Sequence, residues 1–119
     1  MENEKITNLT RQASITVPFE RADTLLSRAR GLMFRSAPLA ILFSFDTFER
    51  HSIHSFFVPF EFDAVYLDEH MKVVDLYSRV KPFIPLLTPT RSAFYLLELP
   101  PGDAGRLKLQ IGDTVKIGK

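Results

Sequence analysis

Leu39 to Phe45 (Leu-Ala-Ile-Leu-Phe-Ser-Phe) is a near-continuous apolar run of strand length. Such a run has almost no polar face to turn toward water, so it reads as a central strand covered on both sides. The rest of the chain must then cover two faces, and it offers further short apolar segments to do so. Ala13 to Glu20 alternates: Ile15, Val17 and Phe19 point one way, and Ser14, Thr16 and Glu20 the other. That is the period of a half-buried strand. Pro18 has no N–H to give to a ladder, which predicts an edge strand or a break at that point. Ile53 to Leu67 carries Phe56, Phe57, Val58, Phe60, Phe62, Val65, Tyr66 and Leu67, with Pro59 arguing for two strands or one bent strand. Asp68-Glu69-His70 reads as a hairpin turn and Met71 to Val80 as the return strand.

Asp46 to His51 is polar and reads as a turn or loop. Lys81 to Arg91 holds Pro82, Pro85 and Pro89 and reads as an irregular, rigid loop. Ser92 to Leu99 is another strand, stopped by Pro100-Pro101-Gly102. Asp103 is placed to cap a short helical turn through Leu107, and Ile111 to Ile117 reads as a tight turn and a final strand. One longer helix is expected near residues 23–30. Asp23 suits its N-cap, Leu25, Leu26, Ala29, Leu32 and Met33 its buried stripe, and Gly31 its end. The expected fold is therefore mainly β, a compact sandwich or barrel-like domain with one short α-helix. Residues 1–11 are polar and read as a flexible lead-in, with residues 12–119 as one globular domain.

Two elements resemble a known family. The first is Arg30-Gly31-Leu32-Met33-Phe34-Arg35. The second is a series: Ile41 to Phe45, His54-Ser55-Phe56-Phe57, Phe62 to Asp68, Val73-Val74, Tyr95 to Leu99 and Gly112-Asp113-Thr114-Val115. In this order and spacing the chain is similar to the prokaryotic domain of unknown function 192 over residues 13–117. The resemblance implies a mainly β, sandwich-like fold with a helix ahead of the Gly-Leu-Met element. It brings no catalytic assignment. This chain departs from the pattern at Phe57-Val58-Pro59-Phe60-Glu61-Phe62-Asp63, which lacks the basic or amide residues that relatives often carry there.

Composition excludes several function classes. The 119 residues contain no cysteine, which removes disulfides, thiolate metal sites and thiol nucleophiles together. A net charge of +1 marks no nucleic-acid or membrane partner. The polar N-terminus has no apolar signal region, and a cytoplasmic location is the expectation. Five glycines include no Walker or Rossmann pattern, and Ser44, Ser55 and Ser92 stand in no Gly-x-Ser-x-Gly elbow. No cofactor or metal is expected. His51 and His54, three apart, would point to opposite sides of a strand.

The candidate ligand-binding residues are Arg30, Arg35, His54, Asp63 and Glu98. Two arginines flanking a short turn can grip a carboxylate or phosphate bidentately. The bland alternative is that they pair with Asp63 or Glu98, acidic residues set within apolar strands. Asp63 and Glu98 could instead form an acid/base pair if they converge. The expectation is a binding module that holds a small polar or anionic ligand or a protein partner, as a monomer or weak dimer, with a hydrolase or isomerase using Asp63 or Glu98 as an outside alternative. An alternative is a self-associating protein that pairs through an edge strand such as residues 13–20.

Overall fold

A computed structural model describes residues 2–23, 32 and 35–118. Seven strands form one sheet: β1 (Asn3–Asn8), β2 (Ala13–Ala22), β3 (Ala40–Glu49), β4 (Phe62–Leu67), β5 (Val73–Val80), β6 (Ala93–Leu99) and β7 (Val115–Gly118). Their order is β5-β4-β6-β3-β2-β1-β7. A four-residue helix, α1 (Asp103–Arg106), precedes β7. The fold is mainly β, as the short alternating segments predict, and it takes the barrel-like form: one curled sheet.

The curl has a source in β2. Residues 13–18 pair antiparallel with β1, whereas Phe19 to Ala22 pair parallel with β3. Pro18 sits where the strand changes partner, a position that needs no ladder N–H. β2 is therefore an interior strand and not the edge suggested by its proline, so residues 13–20 offer no edge for self-association. The parallel pairing requires a crossover between Ala22 and Ala40. The expected helix near residues 23–30 falls in that stretch and lies outside the described residues, apart from Asp23.

Two apolar clusters lie on the two faces of the sheet. The inner cluster holds Ile6, Phe19, Leu42, Val65, Leu97, Leu99, Leu107 and Val115. The outer cluster holds Ile41, Phe43, Phe62, Ala64, Tyr66 and Leu96, covered by Leu32, Leu39 and Val58. β3 feeds both faces with alternate residues, which is why its sequence is apolar throughout.

Three expectations need correction. The lead-in contains β1, an ordered strand between β2 and β7, because Ile6 and Asn8 alternate inward and are fully buried. The polar stretch from Asp46 continues β3 to Glu49, beyond a register shift after Ser44. Of Ile53 to Leu67, only Phe62–Leu67 is strand; residues ahead of Pro59 form a loop joined to Leu87 by one bridge at Ile53.

One sheet edge, β5, is covered over part of its length. Val73 donates to the Asp113 carbonyl (2.8 Å) and accepts from the Gly112 N–H (2.8 Å), while the Asp75 carboxylate takes the Leu76 N–H at 2.9 Å. These contacts occupy the first half of the β5 edge, a common protection against strand addition.

The Gly-Asp-x-Val ending has a structural use. Gly112 turns at φ +96°, a value that favours glycine. Asp113, buried behind it, accepts from Asn8 Nδ2 (2.9 Å), Arg11 Nε (2.9 Å) and the Gln110 N–H (3.0 Å). Burial alone would raise the Asp113 pKa, but these bonds outweigh it and hold the carboxyl below its usual range. This group's stabilisation is present above the ordinary carboxylate pKa of 3.8 and is lost as pH falls through the lower folded value. Asp113→Ala is expected to cost about 2 kcal/mol at neutral pH, from lost and orphaned hydrogen bonds. Acid titrations followed by circular dichroism should show the wild type losing that advantage below the ordinary carboxylate pKa.

Candidate functional site

Of the five residues singled out from the sequence, the four that are described do not converge. Arg30 lies outside the described residues. Arg35 is nearly buried and pairs with Glu20, not with Asp63 or Glu98, at 2.5 Å. His54 is exposed, and its Nδ1 accepts from the Phe56 N–H at 3.2 Å. Asp63 accepts three backbone N–H groups: Arg79 (2.8 Å), Gly102 (3.1 Å) and Ala104 (2.9 Å). The last two belong to the first turn of α1. Gly102 is the N-cap residue and has no side chain to cap with, so Asp63 supplies the carboxylate from β4. Asp103 is the first helical residue and not the cap.

Glu98 stands elsewhere. It is directly opposite Ile41 on β3 and Ala64 on β4, both members of the outer cluster. Asp63, one residue from Ala64, points to the other face. The two carboxyls therefore leave the sheet on opposite sides, and the geometry does not support paired acid/base work. Burial pushes the Glu98 carboxyl up to about 8. Neighbouring Tyr66 is raised well above the usual tyrosine range, first by burial and then by the Glu98 charge.

The His51 ring stacks on Phe45 at 3.8 Å between centroids, with its Nε2 2.9 Å from the Thr47 carbonyl. No group of three or more metal-ligating side chains occurs among the described residues. Ser55 is a buried hub: its hydroxyl donates to the Lys81 carbonyl and accepts from the Ile84 N–H (2.7 Å). Those bonds pin two loops together, so that hydroxyl is no free nucleophile. Phe56 and Phe57 stay exposed on these loops, with Phe83 and Leu86, whereas Phe62 and Tyr66 are core.

The site with the most converging elements is a slot of about 550 Å³ at the mouth of the curl. Leu42 and Ser44 of β3 and Tyr95 of β6 form one wall, and Val115, Lys116 and Ile117 of β7 the other. Leu9, Met71 and His70 close the end, and Arg21 of β2 stands at the rim. Arg21 faces the slot because it is the register partner of Leu42, an inner-face residue. Its guanidinium lies over the Phe19 ring at 5.2 Å and meets Glu4 at 3.0 Å. His70 is exposed, 3.5 Å from Glu69. Lys116 has no ion pair among the described residues. The lining thus combines apolar residues (Leu42, Met71, Tyr95, Val115) with Arg21, His70 and Lys116. A second groove, of about 540 Å³, lies beside Arg50 and Arg91. Its Arg50 guanidinium already donates to the Pro89 carbonyl at 2.7 Å.

Arg21, His70 and Lys116 were not legible as a group. They lie far apart in the sequence, and each reads alone as a solvated strand end or turn residue. Only the curl brings them to one mouth.

The comparisons with known proteins agree on fold and family. The sequence profile of the family described as Uncharacterized ACR (DUF192) matches residues 6–117. A UPF0127 protein of Pyrococcus horikoshii is 35% identical over 97 residues, covering 80% of this chain and 83% of that protein. One from Pyrococcus furiosus is 31% identical over 111 residues, covering 92% and 94%. Among solved structures, a protein of unknown function from Novosphingobium aromaticivorans superposes with a TM-score of 0.82 at 20% identity, covering 96% of this chain and 83% of that one. A Sinorhizobium meliloti protein gives 0.83, also at 20% identity, covering 97% and 92%. At that identity the likeness shows the fold alone. With a profile match from β1 to β7 and relatives above 30% identity, the chain belongs to the UPF0127 (DUF192) family.

Proposed function

We propose that this domain is a binding module whose slot takes a small anionic molecule with an apolar body. One observation carries the reading. Arg21, His70 and Lys116 are among the residues that line a slot together with Leu42, Met71, Tyr95 and Val115. A guanidinium and an ammonium at the mouth of an apolar recess suit a carboxylate or phosphate whose tail enters the recess. No helix among the described residues is long and apolar enough to cross a membrane.

A thermal-shift screen with butyrate, hexanoate, succinate and inorganic phosphate tests this. A ligand at 100 times its dissociation constant adds about 2.7 kcal/mol, which raises Tm by several degrees. The expected result is a rise for the carboxylates with an apolar tail, reduced at least tenfold in affinity in Lys116→Gln and in Arg21→Gln. Equal responses in the wild type and both variants would remove the slot from the account.

A further inference from the structure

A second candidate site is the groove of about 540 Å³ beside Arg50 and Arg91. Four separate parts of the chain line it: the end of β3 with Arg50, the start of β5, the approach to β6 and the turn at Gly112. It shares no lining residue with the slot. Its charge is one-sided, because two arginines line it and no aspartate or glutamate does. Glu49 lies between Phe48 and Arg50 in the chain, but neighbours on a strand face opposite sides, and its carboxylate accepts from Thr47 Oγ1 at 2.9 Å.

The segment that brings Arg91 and Ser92 to the groove is held in place. The buried Asp75 carboxylate takes the Thr90 N–H at 2.8 Å and the Thr90 hydroxyl at 2.9 Å. Arg50 Nε donates to the Pro89 carbonyl at 2.7 Å. The residues just ahead of Arg91 are thereby fixed from two sides. The Arg91 guanidinium and the Ser92 hydroxyl themselves make no hydrogen bond or ion pair among the described residues. Arg91 keeps all its N–H donors, and Arg50 keeps those of its two terminal nitrogens. The rest of the lining is largely apolar. Phe48 and Ile111 both line the groove, and both are exposed large hydrophobics, at 50% and 68%. Phe94 backs the Phe48 ring at 5.1 Å between centroids.

We infer that this groove is a second binding site, and that its ligand is a phosphate monoester carried on a flat aromatic ring. A monoester carries close to two negative charges at neutral pH and three acceptor oxygens. Two guanidiniums and a hydroxyl match that demand, whereas a single carboxylate would engage only one arginine. The Phe48 ring offers a stacking surface and Ile111 an apolar one for the body of the ligand. The site does not rest on the reading of the slot, and either can fail without the other.

The probes are phenyl phosphate, n-butyl phosphate and inorganic phosphate, measured by titration calorimetry at equal ionic strength. Phenyl phosphate is expected to bind tightest and inorganic phosphate weakest, with about fivefold or more between them. Arg91→Gln removes an exposed side chain with no partner among the described residues, so it should fold normally. It should weaken phenyl phosphate by about tenfold, while any hexanoate response of the slot stays unchanged. Phe48→Leu should bring phenyl phosphate down to the affinity of n-butyl phosphate. Lys116→Gln, in the slot, should leave phenyl phosphate binding intact. The inference is overturned if phenyl phosphate binds no tighter than inorganic phosphate, if Arg91→Gln binds it undiminished, or if the preference for the ring survives Phe48→Leu. Amide-resolved NMR of the wild type locates the site without any variant: saturable shifts at Val74, Arg91, Ser92 and Gly112 support it, and shifts confined to other surfaces overturn it.

Discussion

Glu98→Gln is expected to be more stable than the wild type at pH 7, by about 3 kcal/mol, a rise in Tm of about 10 °C. The folded carboxyl titrates at about 8 against an ordinary value of 4.5. Between those values the folded state holds a proton that the unfolded chain has released. Stability therefore falls as pH rises from about 4.5 to 8, and above that the penalty is complete and constant. Glutamine fills the same space and does not ionise, so the variant should lack this slope. Asp113 and Asp75 act in the opposite sense and only in acid, because both titrate below the ordinary value of 3.8. For Asp75, burial opposes that shift and the bonds from Thr90, Tyr77 and Leu76 outweigh it. The wild type should consequently be most stable near pH 4.5, and denaturant unfolding at half-unit pH steps will show it. Parallel pH profiles for the wild type and Glu98→Gln would contradict the placement of Glu98.

Asp63→Ala is expected to have the largest effect of opposite sign. Its carboxylate is 1% exposed and satisfies the N–H groups of Arg79, Gly102 and Ala104. Each orphaned buried donor costs about 1–3 kcal/mol, and partial relief by water brings the sum to about 4 kcal/mol. Most of that falls on α1, which at four residues cannot form without an external cap. Asp63→Asn retains one carbonyl oxygen but turns its NH₂ toward donors, so its cost should be about 2 kcal/mol. Urea unfolding measures both. A loss below 1 kcal/mol for Asp63→Ala would show that the carboxylate is not the clamp described.

Much of this architecture is legible in the sequence. The doubly apolar β3, the hairpin at Asp68, the turn at Gly112 and the helical turn after Gly102 follow from local pattern. The errors share a cause. β1 looks polar because its inward face carries Glu4, Ile6 and Asn8, and Asn8 is buried as a network member rather than as a hydrophobe. Pro18 suggests an edge because periodicity does not reveal that a strand can exchange one partner for another at its proline. Acidic residues in apolar strands are visible as anomalies, but their role depends on their neighbours. Asp63 meets the first turn of a helix about 40 residues away, and Glu98 meets no donor. The slot depends on curl and register throughout, which no local window contains.

The claim that the mouth of the curl is a basic slot for anions is tested most directly by amide-resolved NMR titration with hexanoate. The account predicts saturable shifts at Arg21, Leu42, Ser44, Met71, Tyr95 and residues 115–117, weakened by added salt. Saturable shifts confined to other surfaces, or none up to millimolar hexanoate, would contradict it.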